Sequence, residues 1–178
     1  MNIYLISDTH FNHQNIATYC QRPKNFTELI IKRWHETVKP EDTVIHLGDV
    51  AISKKSEWIM PSLPGSKILI RGNHDRQQSC SWWMEKGGFD FACDGMRFRN
   101  CWLTHEPSTS LADGTQLNIH GHLHNAWHGF GEHHEDLIKR RKVWQRLFTI
   151  EYTDYRPVEF DKFVSHPNKY QARSAVRN

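Results

Sequence analysis

Asp8 and His10 have the types and the spacing of half a metal site. They lie two apart beyond the apolar run Ile3-Tyr4-Leu5-Ile6, so in extended geometry a carboxylate and an imidazole project to the same side. Four more apolar runs end in groups that can bind a metal: Asp49, Asn73, His105, and the pair His122 and His124. The gaps after His10 are 39, 24, 32 and 17 residues, room for the helix or hairpin connections of an α/β fold. In open α/β sheets ligands collect at the carboxyl ends of the strands, and five such ends carry a ligand type here. Gly48, Gly72 and Gly121 immediately precede three of the clusters, where the backbone must turn sharply and come close to an ion. The chain holds 13 histidines, the commonest metal ligand and the usual acid–base residue.

The elements that must position these groups are short. Ile3 to Ile6, Thr43 to Leu47 and Lys67 to Ile70 read as strands from their branched apolar residues. Asn12 to Asn25 reads as loop with one helical turn, closed by Arg22-Pro23. Thr27 is a candidate N-cap for a helix over 28–38, with Leu29, Ile30, Trp34 and Val38 on its apolar side and Pro40 as its stop. A helix near 54–60 is expected to pack through Trp58 and Ile59, and another around Trp82, Trp83 and Met84. Phe89 to Ala92 and Met96 to Arg99 read as strands around a turn at Asp94-Gly95. Cys101 to Thr104, Leu117 to Ile119 and Arg146 to Tyr152 are further strands, and Val158 to Val164 a short helix.

A length of 178 residues fits one domain over 1–178, with 125–145 as a polar flap and 166–178 as a frayed tail. No apolar run is long enough for a transmembrane helix, and Met1-Asn2 leads straight into a strand with no secretory signal. Cys20, Cys80, Cys93 and Cys101 show no zinc or disulfide spacing, so they are expected to be reduced in a cytoplasmic protein. Residues 1–138 hold 13 Lys/Arg and 16 Asp/Glu, and residues 139–178 hold 10 and 4. The basic C-terminal fifth is either a polyanion contact or a solvated tail.

The five blocks taken together resemble the calcineurin-like metallophosphoesterase superfamily. Its signature of D-x-H, G-D, G-N-H-D/E, a lone His and G-H-x-H is met by Asp8-Thr9-His10, Gly48-Asp49, Gly72-Asn73-His74-Asp75, His105 and Gly121-His122-Leu123-His124, in that order. The opening Ser7-Asp8-Thr9-His10-Phe11-Asn12-His13 is similar to the small, cap-less bacterial and phage members. The resemblance implies a four-layer α-β-β-α sandwich of two mixed β-sheets flanked by helices. It also implies two divalent ions: one on Asp8, His10, Asp49 and His124, the other on Asp49, Asn73, His105 and His122, bridged by Asp49. Carboxylates, neutral imidazoles and an amide carbonyl suit Mn, Fe, Zn, Co or Ni, with manganese favoured for activity, rather than calcium or thiolate-bound zinc. Two such ions lower the pKa of a shared water and clamp both oxygens of an in-line phosphoryl displacement.

The implied activity is hydrolysis of a phosphoester by a metal-bridging hydroxide. A phosphodiesterase acting on nucleotide or nucleic-acid substrates is favoured, because only 125–145 is left to cover the site. The alternatives are a phosphomonoesterase or phosphoprotein phosphatase, and a non-catalytic metal-binding partner protein. His74 is the catalytic candidate, expected to donate a proton or hydrogen bond to a phosphoryl or leaving-group oxygen. Many relatives read G-D-x-x-D and hold this histidine with the second Asp, whereas this chain has Ile52 there. Asn12, His13 and Arg22 are candidate phosphate contacts, each with a surface or turn role as its alternative. His120 is expected to pack or orient a neighbour. His128, His133, His134 and Lys139 to Lys142 form either an accessory patch or a solvated flap, in which Trp127 and Trp144 are candidates for base stacking.

Overall fold

Strand residues that alternate between two apolar environments set the architecture of this computed structural model, which describes residues 1–51, 58–125, 142–166 and 169–170. Four parallel strands, β1 (Ile3–Ile6), β2 (Thr43–His46), β3 (Ser66–Ile70) and β4 (Phe91–Cys93), lie in the order β4-β3-β2-β1. A second sheet orders β5 (Met96–Phe98), β6 (Cys101–Leu103), β7 (Leu117–His120) and β8 (Gln145–Leu147) in sequence, with β5 antiparallel and the rest parallel. β9 (Val158–Glu159) returns to the first sheet and pairs antiparallel with β1. Both sheets are therefore mixed.

On the first sheet Ile6, Val44, Leu69 and Ala92 face one cluster, and Leu5, Ile45 and Ile70 face the other. That period of two buries both faces, as a mainly parallel sheet requires. The outer cluster is completed by α1 (Gln14–Tyr19), α2 (Phe26–Thr37), α3 (Ile59–Ser62) and α4 (Cys80–Glu85), through Ile16, Phe26, Ile30, Trp34, Ile59, Met60 and Trp83. The inner cluster joins the sheets: Leu5, Ile45 and Ile70 meet Cys101, Leu103, Ile119 and Phe148, and α5 (Phe160–Ser165) adds Phe160 and Phe163. Each fully buried side chain of this size contributes about 1.5–3 kcal/mol. Two mixed sheets flanked by helices is the architecture expected from the sequence.

Several local expectations change. Thr27 is not the cap of α2, which starts at Phe26 behind Asn25, two residues before the expected start; instead the Thr27 hydroxyl accepts from the Asn12 N–H at 2.9 Å. Trp58 is 63% exposed, so Ile59 alone of that pair packs inward. Phe89–Ala92 and Met96–Arg99 do not form one hairpin. β4 and β5 belong to different sheets, and the Asp94-Gly95 link crosses between them. The expected strand over Arg146–Tyr152 stops at Leu147 and gives way to a 3₁₀ turn at Ile150–Tyr152. Two strand residues precede the last helix. All four cysteines are free, and no helix among the described residues is long and apolar enough to cross a membrane.

Candidate metal centre

β1, β2, β3, β6 and β7 all deliver polar residues just beyond their carboxyl ends, and the loops that carry them are strained. Asp8, His10, Asp49, His122 and His124 have φ of 54°, 45°, 56°, 70° and 47°. The left-handed region costs an ordinary residue about 1–2 kcal/mol, and persists where the surroundings over-determine it. Here the first two loops continue the strand pairing: Asp8 N–H donates to Gly48 O, His10 N–H to Asp49 O and Phe11 N–H to Val50 O, at 2.9, 3.0 and 2.9 Å. Glycines provide the room. A Cβ on Gly72 would overlap Asp49 Oδ1, and one on Gly121 would overlap Ser7 Oγ and Asp8 Oδ2.

The side chains converge in two groups. Donor atoms of Asp8, His10 and His124 all lie within 4.8 Å of one another, as do those of Asp49, His105 and His122. Asn73 Oδ1 joins the second group, 3.0 Å from His105 Nε2 and 3.1 Å from His122 Nδ1. Asp49 stands between the groups, its Oδ2 3.5 Å from His10 Nε2 and 3.4 Å from His105 Nε2. The seven residues expected as ligands are thus brought to one place.

Burial and neighbouring charge set the protonation of three of them in different directions. Burial first, and then the neighbouring His124, lowers the His10 pKa well below its usual value, and neither ring nitrogen of His10 makes a hydrogen bond. A neutral, buried imidazole without a hydrogen-bond partner suits a divalent ion. Burial alone would raise the Asp49 carboxyl, but the hydrogen bond and charge of His105 hold it well below the usual range. His105 Nδ1 lies 2.7 Å from Leu47 O, to which it donates; burial lowers the ring's pKa, but the hydrogen bond to Asp49 and the charge of Asp8 raise it to about 9, so an ion at Nε2 would take the place of a proton. The residues present fit divalent ions, which Asp8, His10, Asp49 and His124 would hold on one side and Asp49, Asn73, His105 and His122 on the other.

Around these groups lies a frame that sequence reasoning missed. Asp75 is buried and accepts from Asp49 N and Gly72 N through Oδ2, at 2.7 and 2.8 Å, and from Val50 N through Oδ1 at 3.0 Å. It therefore pins the loop after β2 to the loop after β3. Burial, and then the charge of Asp49, raises its carboxyl to about 6. His46 accepts from Gly48 N at Nδ1, so Nε2 carries the proton and donates to Thr9 Oγ1, which in turn donates to Val50 O. Asp75 was visible in the G-N-H-D block itself. His46 and Thr9 sat beside ligands but gave no signal of their own.

His74 projects at the open side, 38% exposed, with Nε2 3.9 Å from Asp49 Oδ2 and its N–H donating to Asp49 Oδ1 at 3.1 Å. His13 stacks at 5.6 Å from the His10 ring, and Asn12 is exposed on the same loop. Arg22 requires a correction. It is 5% exposed, and its guanidinium donates to Asp8 O, Thr9 O and Glu151 rather than facing a phosphate, because the strained loop carbonyls need a donor. His120 is buried against the Gly121 carbonyl. Trp144 is half-buried, while Ile52, Trp127, His128, His133, His134 and Lys139 to Arg141 lie outside the described residues.

A sequence model of calcineurin-like phosphoesterases matches residues 1–176. An uncharacterized protein of Methanocaldococcus jannaschii is 36% identical, over 91% of this chain and 89% of its own. The crystal structure of a protein of unknown function from Aquifex aeolicus superposes with a TM-score of 0.69 at 28% identity, covering 92% of this chain and 98% of that one. With its two mixed sheets and its candidate metal-ligand clusters, this chain belongs to the calcineurin-like phosphoesterase family, metal-dependent hydrolases of phosphoesters.

Proposed function

We propose that the chain is a dinuclear phosphodiesterase acting on nucleotide or nucleic-acid phosphodiesters, active with manganese in the cytoplasm, and that residues 1–178 form one domain. The observation that carries the dinuclear reading is Asp49 Oδ2, nearly equidistant from a histidine of each ligand group. Ions held there supply Lewis-acid polarisation of the phosphoryl group and a water of lowered pKa. The chain's own part is to orient and to donate. Asp75 fixes the loops that carry Asp49 and Asn73. His74, half exposed beside Asp49, is positioned to hydrogen-bond a phosphoryl or leaving-group oxygen. Asn73 is exposed as well, so among the described residues this side of the centre is open. An open side accommodates a second substituent on phosphorus, which supports a diester over a monoester.

The test is turnover of bis-p-nitrophenyl phosphate against p-nitrophenyl phosphate in Mn²⁺ and Ni²⁺. Faster diester cleavage is expected; preference for the monoester would give the site to a phosphomonoesterase or phosphoprotein phosphatase. Failure on both esters with two metals bound would leave a metal-binding partner protein. A panel of linear single-stranded DNA and RNA at graded salt then checks the nucleic-acid assignment, since phosphate contacts weaken steeply as salt rises.

A further inference from the structure

Behind the centre lies a buried ion pair whose hydrogen bonds reach the backbone and a side chain of one of the two ligand groups. Glu151 is 4% exposed in its side chain, and Arg22 has no exposed side-chain surface. The guanidinium donates from Nη2 to Asp8 O at 2.8 Å, from Nη1 to Thr9 O at 3.1 Å and from Nε to Glu151 Oε1 at 2.8 Å. Glu151 Oε1 in turn lies 3.5 Å from His124 Nδ1. One fork therefore grips the backbone that carries Asp8 and leads to His10, and through Glu151 it reaches the ring of His124.

The pair also flanks the ring of His124. Its Nδ1 faces two groups of opposite demand, Glu151 Oε1 at 3.5 Å and Arg22 Nη2 at 3.4 Å. A carboxylate needs a proton on Nδ1, which leaves the Nε2 lone pair directed toward Asp8 Oδ1, 3.8 Å away. A guanidinium would need a bare Nδ1, which puts the proton on Nε2 and removes the donor. Both partners hold the ring from its Nδ1 side, leaving Nε2 toward Asp8.

We propose that Arg22 and Glu151 are positioning residues for the metal held by Asp8, His10 and His124, and that they set its affinity independently of the second metal. The inference rests on the dinuclear reading above. Calorimetric titration of the chelator-stripped full chain with Mn²⁺ alone tests it. Wild-type protein is expected to bind two equivalents. Glu151→Gln, nearly isosteric, is expected to weaken one of them about 10–100-fold and leave the other unchanged, so the unaffected site reports that the variant is folded. Arg22→Lys, too short in donors to hold both carbonyls and Glu151, is expected to weaken the same equivalent. Two wild-type affinities in Glu151→Gln, or equal weakening of both, would overturn the proposal. Fewer than two equivalents on wild-type protein would instead remove the dinuclear reading beneath it.

Discussion

Single atoms decide much of this centre. Gly72 lies so close to Asp49 that an added methyl would occupy the carboxylate's own position. Gly72→Ala is expected to cost about 1–3 kcal/mol by overpacking and to weaken both Mn²⁺ equivalents, measured by urea denaturation and calorimetry; an unchanged titration would show that Asp49 does not bridge. His46 makes a different prediction. It is fully buried, and burial lowers its pKa from 6.5 to about 3. The unfolded chain therefore takes up a proton that the folded chain refuses. Stability is whole above pH 6.5 and falls as pH drops toward 3. Between pH 7 and 5, metal-free wild-type protein should lose about 2 kcal/mol more than His46→Gln. Parallel denaturation profiles would contradict that.

Among elements, α2 shows how packing and positioning combine. Trp34 is fully buried and its indole N–H donates to Pro64 O, so the helix holds the turn that launches β3. Trp34→Phe is expected to cost about 1–3 kcal/mol with Mn²⁺ affinity unchanged, because the loop after β3 is fixed separately by Asp75. The strands were legible because branched apolar runs are short-range signals, and the ligand blocks because each follows such a run directly. What was not legible depends on distant partners. Arg22 read as a phosphate contact because nothing local shows that the carbonyls of Asp8 and Thr9 await it. Glu151 lies 129 residues from the arginine it pairs with, in a stretch that reads as strand. Asp94-Gly95 looks like a hairpin turn, and only the assembled sheets reveal that it changes layer.

For the whole molecule, the centre spans a seam. Asp8, His10, Asp49 and Asn73 follow strands of the first sheet, while His105, His122 and His124 follow strands of the second. Ions bound there would cross-link the sheets and oppose unfolding by mass action, about 2.7 kcal/mol at a concentration 100 times the Kd. For a chain of this size that raises Tm by about 5–11 °C relative to chelator-treated protein. Calorimetric melts with and without Mn²⁺ check this, and coincident melts would show that the folded chain binds no ion preferentially over the unfolded one.

The same division has a consequence for the newborn chain. The four parallel strands of the first sheet precede the second sheet in sequence, so on the ribosome a half-furnished centre emerges first. It holds carboxylates and a single imidazole ligand, His10, and neither proposed ligand set is complete. Only when His122 and His124 leave the exit tunnel are both sets available, and Glu151 follows them by 27 residues. Capture of ions by the proposed ligand sets would thereby fall late in synthesis, once residues from both sheets have emerged.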